Sequence, residues 1–387
     1  MTIMNEEKGG WSMNKLLQYV LLLALLAILP GCSDRLDMEN ASIPLTLGLD
    51  LGQDNEPIMY STFPVFNKNV KKKTQETEVR APSFRQSRSK QDAHSAGVFS
   101  GKNYQVFLVG KRMLMQEDWF QMLDVLFRDP KNTVSNRVLV YDGPLEELIY
   151  LNPKDQPLLP ILLRGMVDTK SSKAETVKTS VQELHRQIYE KGITPAISEV
   201  SLDASKNIKL NGTALLNHKG KYVASLDVAE TVLLRILQNK VEKSASITVT
   251  IPGETQKGPF HTDKISFSTD QTKTETKART SSNKGKFRFD IYIRMKISLY
   301  EMLFPHDVEK NAPELEQKIS EQMLKQFDSL IKKIQQNAID PIGLGLHARA
   351  FEYEEYKRAK NDWGKALSDA DIRVKLKVTV DAMGPVK

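Results

Sequence analysis

The sequence predicts an α+β fold in which mixed and antiparallel sheets pack against helices. Apolar and polar side chains alternate through residues 287–299, which is the pattern of a strand with one face in water. Apolar residues between Leu315 and Ala338 recur along one face of a long helix. Strand and helix patterns also alternate up to about residue 200, which indicates a layered α/β arrangement in that part of the chain.

The chain is too long for a single hydrophobic core. Its 387 residues exceed the length of about 250–300 residues at which one core stops growing, so we expect several domains. The predicted boundaries are a lipoprotein signal peptide at 1–31, an N-terminal α/β domain at 32–200, a middle hairpin–helix domain at 201–255 and a C-terminal α+β domain with the long helix at 256–387.

The first segment has the pattern of an export signal. Largely apolar residues occupy positions 16–28, and Leu-Pro-Gly-Cys follows at 29–32. This apolar run is shorter than the ~20 residues that a membrane-spanning helix needs. Acidic residues ahead of Met13 are unusual in the basic head of a signal, so the start of translation stays open between Met1 and Met13.

Cys32 is the only cysteine in the sequence, and it directly follows the small residue that ends this signal. Bacterial lipoprotein processing modifies a cysteine in this position: its thiol receives a diacylglyceryl group, and cleavage before it frees an amine for acylation. We therefore predict that Cys32 is the lipidation site and the first residue of a membrane-tethered mature protein. The alternative is a transmembrane helix followed by a buried cysteine.

The formal net charge is the same with and without the predicted signal peptide. Removing residues 1–31 leaves the formal net charge at +7, because two lysines in that segment cancel two glutamates. This modest surplus favours contact with an anionic membrane surface or wall polymer only weakly, and export argues against a nucleic-acid partner. A single cysteine allows no disulfide within the chain.

The first predicted elements of the mature chain form a β-hairpin. Residues 42–50 and 58–65 read as its strands, and the turn lies at 52–55. Residues 67–95 are polar and rich in lysine and arginine, so we expect a mobile basic loop there rather than a binding patch.

Four elements alternate in the next part of the chain. A strand at 104–110 precedes a helix over 119–127, which Pro130 stops. A second strand follows at 137–141, and apolar spacing over 177–188 predicts a second helix.

The middle region combines a hairpin with a helix. Strands at 208–216 and 222–226 flank a turn, and Asp227 with Glu230 forms the pattern of a capping box that opens a helix. A strand at 246–252 closes the region.

The last region adds the long strand and helix described above and a final alternating strand at 372–380. Residues 253–284 are rich in Thr, Ser and Lys, and they read either as a linker or as edge strands joined by loops.

The sequence holds no recognisable catalytic or ligand-binding motif. Among its six histidines no two lie within five residues of each other, so a short metal motif is absent. His185 follows Leu184 in an amphipathic helix and is expected to lie at the surface or at the edge of the core, rather than to act as a ligand or switch. No nucleophile elbow, phosphate loop or dinucleotide fingerprint occurs. Gly-Leu-Gly at 343–345 is interpreted as a tight turn after the long helix. We therefore predict no enzyme, no cofactor, and no catalytic, cofactor-binding or metal-binding residue.

Several motifs along nearly the whole mature chain occur in the order found in one family. They include Leu-Thr-Leu-Gly-Leu-Asp in the first strand, Arg-Asp-Pro before Val-Leu-Val, and Asp-Pro-Ile-Gly-Leu-Gly with a later tryptophan. The matching segments are 31–35, 45–50, 126–130, 138–140, 212–231, 340–345 and Trp363. On these motifs the chain resembles the Ger(x)C spore germination lipoproteins, the C subunits of nutrient germinant receptors.

This resemblance implies three mixed α/β domains and a position on the outer face of the spore inner membrane. It also implies a role in receptor assembly or signalling beside two membrane-spanning partners, the A- and B-type subunits. The family has no known enzymatic activity and no established ligand pocket, so binding of a small germinant stays open. The nutrient, the partner-binding surface and the stoichiometry stay open as well.

The sequence fits two other functions less well. A solute-binding lipoprotein of a transporter usually has two similar lobes around a cleft, and the two halves of this sequence do not repeat. A lipid-anchored wall hydrolase needs a histidine or carboxylate constellation that the sequence does not offer.

Overall fold

The computed structural model describes residues 13–27, 41–66, 69–93, 98–99, 103–129, 132–151, 153, 156–253, 263–280, 286–302, 304 and 307–382. The strands are β1 (Ala41–Ser42), β2 (Thr46–Leu51), β3 (Pro57–Pro64), β4 (Thr74–Arg80), β5 (Val98–Phe99), β6 (Val106–Gly110), β7 (Arg137–Tyr141), β8 (Ala196–Leu202), β9 (Ile208–Leu216), β10 (Tyr222–Leu226), β11 (Ser246–Thr250), β12 (Lys264–Thr280), β13 (Phe287–Met302) and β14 (Asp371–Ala382).

The helices are α1 (Met13–Ala27), α2 (Phe84–Asp92), α3 (Lys111–Leu114), α4 (Asp124–Arg128), α5 (Leu145–Ile149), α6 (Leu159–Ser172), α7 (Val181–Tyr189), α8 (Val228–Leu237), α9 (Val308–Gln336), α10 (Leu344–Phe351), α11 (Tyr353–Ala359) and α12 (Trp363–Ser368). Short 3₁₀ helices cover Trp119–Leu123 and Lys360–Asp362. Residues 1–41, which contain α1, form one unit, and residues 42–387 form another.

The first sheet of the larger unit has eight strands in the order β10-β9-β8-β7-β6-β2-β3-β4. Its centre is parallel, because β2, β6, β7 and β8 run in the same direction. Antiparallel hairpins extend it on both sides, and the predicted hairpin over 42–65 is confirmed as the β2–β3 pair. Parallel neighbours need long crossovers, which the helices between these strands supply.

Helices cover both faces of this sheet. Every residue of β6, Val-Phe-Leu-Val-Gly, is buried, as expected for a central strand of a parallel sheet. Phe107 and Val109 pack into a core with α2, α3, α4 and α7, whereas Val106 and Leu108 pack into a second core with α5 and α6. The first part of the molecule is therefore a three-layer sandwich.

The expectation of a mobile loop over 67–95 is wrong for the residues described there. β4 pairs with β3 through seven residues as the last strand of the sheet, and α2 follows it. Ser83 begins this helix by accepting a hydrogen bond from the backbone N–H of Gln86. Only a few apolar side chains, such as Val79 and Phe84, are buried in this stretch, so its composition resembled that of a loop.

The second sheet has four strands in the order β11-β12-β13-β14. The first three are antiparallel, and β14 runs parallel to β13. Residues 253–284, for which the sequence allows either a linker or edge strands, contain the 17-residue strand β12 in the interior of this sheet. The predicted long helix is confirmed as α9, and its apolar stripe lies in the core below the sheet. That stripe comprises Leu315, Ile319, Met323, Phe327, Leu330 and Ile334.

Residues 201–255 contribute to both sheets. Their hairpin, β9 and β10, extends the eight-stranded sheet, whereas α8 and β11 belong to the core of the four-stranded sheet. The capping box at Asp227 and Glu230 is confirmed: each side chain accepts a hydrogen bond from the other residue's backbone N–H. Two mixed sheets packed with helices confirm the α+β class, while the three-domain boundaries stay a prediction.

Candidate functional site

The predicted lipidation site, Cys32, lies outside the described residues. The helix that precedes it in sequence, α1, is described, and several of its apolar side chains are exposed, with Leu17 and Leu21 each 68% exposed. Among the described helices, none combines the length and apolar character that crossing a bilayer requires.

The described histidines are packed against other rings or buried. His185, half-buried in the middle of α7, packs its ring against those of Phe127 and Tyr189, with ring centroids 4.3 and 4.7 Å away. Burial lowers the pKa of His218 in the β9–β10 turn and of His347 in α10. Within the described ranges, no three His, Cys, Asp or Glu side chains are grouped so that they could hold a metal ion.

Charged side chains collect where the parallel strands of the first sheet end. Asp50 lies near the end of β2, Lys111 directly follows β6, Asp142 directly follows β7, and Glu199 lies in β8. The carboxyl ends of parallel strands are the usual position of binding sites in open α/β sheets. This edge is therefore where the fold predicts a binding site.

Each charge at this edge has a partner within the protein. The Lys111 ammonium lies 2.9 Å from an Asp142 oxygen and 3.4 Å from a Glu199 oxygen. Burial alone lowers the pKa of Lys111, but the hydrogen bond that Lys111 donates to Asp142 and the surrounding negative charges outweigh burial and raise the pKa. Glu199, only 2% exposed, also accepts a hydrogen bond from Ser225. The cluster therefore ties β6, β7, β8 and β10 together.

The Asp50 carboxylate also has partners within the protein, and these are backbone N–H groups. Its carboxylate accepts hydrogen bonds from the backbone N–H groups of Leu51 at 2.8 Å and Leu145 at 2.9 Å. Burial raises the pKa of Asp50, and these two bonds oppose the rise. A side chain on Gly110 would collide with the carboxylate, since a Cβ there would lie 2.0 Å from an Asp50 oxygen. Asp50 thus fixes the start of α5 against the sheet.

A second buried carboxylate organises the turn after the long helix. Asp340 is 0% exposed and accepts four hydrogen bonds, from the backbone N–H groups of Gly343, Leu344 and Gly345 and from the indole N–H of Trp363, at 2.8 to 3.0 Å. Burial raises the pKa of Asp340, and all four bonds oppose that effect. The Gly-Leu-Gly segment interpreted as a tight turn is thus held by one carboxylate.

This turn also joins the two sheets' layers. The backbone N–H of Thr194, just before β8, donates to the Asp340 carbonyl at 2.8 Å, and its hydroxyl accepts from the Asp340 N–H at 3.0 Å. Gly192 and Gly345 touch so closely that a Cβ on Gly345 would lie 2.6 Å from the Gly192 Cα. We name residues 337–345 the Asp340 turn.

Reasoning from sequence found some of these residues only as family motifs. Residues 45–50 and 340–345 were matched to a family without a role, and the cluster of Lys111, Asp142 and Glu199 was missed. A signal for it existed, since a charged residue directly follows each of two predicted strands. That signal becomes useful only when the strands are known to be parallel neighbours.

Comparisons with known proteins cover both halves of the chain. A family described as "Spore germination protein N-terminal domain" matches residues 34–202, and one described as "Spore germination B3/ GerAC like, C-terminal" matches residues 211–384. Spore germination protein KC of Bacillus subtilis (strain 168) is 21% identical over 414 residues, which cover 96% of this chain and 96% of the relative.

A solved structure supports the same fold. The crystal structure of the GerBC protein matches with a TM-score of 0.58 and 16% sequence identity, covering 87% of this chain and 96% of that chain. At this identity the likeness establishes the fold alone. Because the match covers most of both chains, the fold is shared with a protein of known structure.

Proposed function

Because the chain belongs to the Ger(x)C family of spore germination proteins, we propose that it is the lipid-anchored C subunit of a nutrient germinant receptor. In this proposal Cys32 carries the lipid on the outer face of the spore inner membrane. The folded part then acts in receptor assembly or signalling beside the membrane-spanning A- and B-type subunits.

The observation that carries this proposal is the order of the two family matches. They follow each other along residues 34–202 and 211–384, and the segment before them holds the export signal and Cys32. A relative of nearly equal coverage, 96% of both chains, is named for spore germination. The two germination-protein domains thus follow a predicted leader and a predicted lipidation cysteine, which supports the proposal.

The geometry favours action through fixed surfaces. The charges at the carboxyl edge of the parallel strands pair with one another, and the Asp340 carboxylate is fully used by four donors. The paired charges tie strands of the eight-stranded sheet together, and the Asp340 turn joins that sheet to the rest of the fold through Thr194. A rigid body tethered by lipid suits a subunit that docks on membrane partners.

The lipid anchor is tested by replacing Cys32. In the Cys32→Ala variant we expect an uncleaved precursor that takes up no labelled fatty acid, because the thiol that accepts the diacylglyceryl group is gone. Ser33→Ala, at the neighbouring position, is the matched control and should be labelled as the wild type is. Equal labelling of Cys32→Ala and wild type would refute the anchor.

The partners are tested by pull-down from spore membranes with a tagged, lipidated protein. Recovery of polytopic A- and B-type subunits supports the receptor proposal. Recovery of only an ATP-driven importer contradicts it and favours a solute-binding lipoprotein instead. The Cys32→Ala variant serves as the control for recovery that depends on membrane attachment.

A further inference from the structure

A cleft of about 490 Å³ lies where α7 and β8 meet the C-terminal end of α8. Its wall includes the apolar side chains of Val177, Ala196 and Pro341 and the amides of Gln187 and Gln238. Pockets for small molecules commonly have volumes of about 300–1,000 Å³ and combine an apolar wall with a few polar groups. The cleft has the size and composition of such a pocket.

Arg235 on α8 is a buried cation in this wall. The residue is 6% exposed, and its Nη1 donates to the Gln238 side-chain oxygen at 3.1 Å. In the described part of the chain, its buried Nε has no hydrogen-bond partner. The charge of Glu242 acts on Arg235, but the Glu242 carboxylate pairs with Lys178 at 2.5 Å. A buried guanidinium that lacks a paired anion is unfavourable unless something else supplies the negative charge.

A second positive charge faces the same cleft. Lys240 lines it at the exposed rim, and both partial desolvation and the charge of Arg235 lower the pKa of Lys240. The cleft's other carboxylate, Glu183, is held by Arg186 at 2.8 Å. Positive charge is therefore in excess at the cleft, and two cations repel each other across it.

We propose that this cleft binds a small anionic molecule through a carboxylate or phosphate group, with Arg235 as the recognising residue and Lys240 as a second contact at the rim. A guanidinium presents N–H donors in a planar fork that matches the oxygens of either group. The apolar part of the bound ligand contacts Val177, Ala196 and Pro341. This site is independent of the lipid anchor and of the receptor partners.

The test measures the thermal unfolding of the full chain in detergent while sodium acetate or sodium phosphate replaces sodium chloride at constant ionic strength. A ligand of the folded state raises the Tm in a saturable way, so we expect such a rise with at least one of the two anions. A response to acetate assigns a carboxylate ligand, and a response to phosphate assigns a phosphate ligand. The absence of a saturable rise with both anions overturns the proposal.

The decisive variant is Arg235→Met, which keeps much of the side-chain length and removes the charge. We expect it to weaken the anion response by about tenfold or more, as for a lost charge-assisted hydrogen bond. In chloride alone its Tm should equal or exceed that of the wild type, because an unpaired buried charge has gone. If the Tm of Arg235→Met rises with the anion as much as that of the wild type, the arginine is structural and the proposal is overturned.

A matched control lies outside the cleft. The Arg88 side chain, 22% exposed, donates to the Asn132 side-chain oxygen at 2.8 Å, so Arg88→Met should lower the Tm in chloride and leave the anion response unchanged. If Arg235→Met does not fold, the rim variant Lys240→Gln takes its place. It should weaken the same response, and an unchanged response in Lys240→Gln contradicts the proposed site.

Discussion

At the scale of single residues, buried polar groups fix the backbone where loops have to follow a defined path. One Asp340 oxygen accepts from Gly343 and Leu344, and the other accepts from Gly345 and Trp363. A neutral amide in that position offers only one acceptor atom and points two additional donors at the same N–H groups. The turn therefore depends on the carboxylate itself.

Asp340→Asn should lower the free energy of unfolding by about 2–4 kcal/mol, because two buried N–H donors lose their acceptor. The change is measured by urea denaturation of the purified protein. Asp362→Asn, on an exposed neighbouring residue, should change the same quantity by less than about 0.5 kcal/mol. Equal stabilities of the two variants would mean that the turn holds without this carboxylate.

The lowered pKa of His218 makes the stability of the fold fall as the pH falls. In the folded state the pKa of His218 lies below its ordinary value of 6.5, because burial and, to a smaller extent, the charge of Lys191 disfavour the protonated ring. Both ring nitrogens are buried and have no hydrogen-bond partner among the described residues. The unfolded chain thus binds a proton on this residue more readily than the folded chain does. Its contribution to stability is complete above pH 6.5 and is lost as the pH falls toward the lowered folded-state pKa.

His218→Phe should therefore reduce the loss of stability below about pH 6.5, because the ring no longer takes up a proton on unfolding. Unfolding curves measured across this range give the slope of the unfolding free energy against pH. Lys221→Gln, in the same hairpin, should keep the wild-type slope, and His347, whose pKa burial also lowers, accounts for part of what remains in His218→Phe. A slope that His218→Phe does not change would place the proton uptake elsewhere.

At the scale of elements, the sequence predicted best where apolar periodicity and capping agree. The long helix, the capped helix α8 and the alternating strand β13 all appear where their patterns predicted them. The helix expected over 177–188 begins later, at Val181, because Ser180 caps it by accepting from the Glu183 N–H, while Val177 packs into the core of the four-stranded sheet. Local pattern therefore gives the element, and a single side chain decides its first residue.

The two strands that the sequence does not predict with certainty, β4 and β12, share a weak apolar pattern: the first reads as a loop and the second as either a linker or edge strands. β4 reads Thr-Gln-Glu-Thr-Glu-Val-Arg, and β12 reads as a run of Thr, Ser and Lys over much of its length. Each is a strand because a neighbour pairs with its backbone: β3 for β4, and both β11 and β13 for β12. Such pairing is a tertiary effect, which composition alone cannot reveal.

Phe327 tests the packing of α9. The side chain is 0% exposed and lies within the core of the four-stranded sheet, so Phe327→Ala should lower the free energy of unfolding by ~3–5 kcal/mol. Lys325→Ala, on the exposed face of the same helix, should cost less than about 0.5 kcal/mol. A Phe327→Ala loss as small as that of the control would indicate that this face of the helix is not packed.

At the scale of the whole molecule, the two sheets are joined by backbone contacts and by charged side chains. Thr194 meets Asp340, and the Lys333 ammonium on α9 lies 2.9 Å from Glu230 and 2.7 Å from the Ser225 carbonyl. The sequence predicted a separate middle region, whereas the structure divides its strands between the sheets. Which strands pair across long sequence distances is not encoded in local periodicity, so the class could be predicted and the strand order could not.

The proposed receptor role predicts a selective phenotype. Spores that lack this protein should lose their response to one set of nutrients, while germination through other receptors continues. The measurement is the fall in optical density of spore suspensions after addition of single nutrients, with complementation by the wild-type gene as the control. Loss of all germination responses, or of none, would contradict a subunit that serves one receptor.

The last strand has a consequence for how the protein is made. β14 is the only described partner of β13 on that side, and residues 303–370 separate the two strands in the chain. Its backbone also reaches α9, since the Val380 N–H donates to Glu316 at 2.8 Å. A chain that ends before Asp371 would expose a 16-residue strand edge, which is a template for pairing with other chains. Truncated products should therefore aggregate or be degraded, so the twelve residues of β14 decide whether a newly made chain survives.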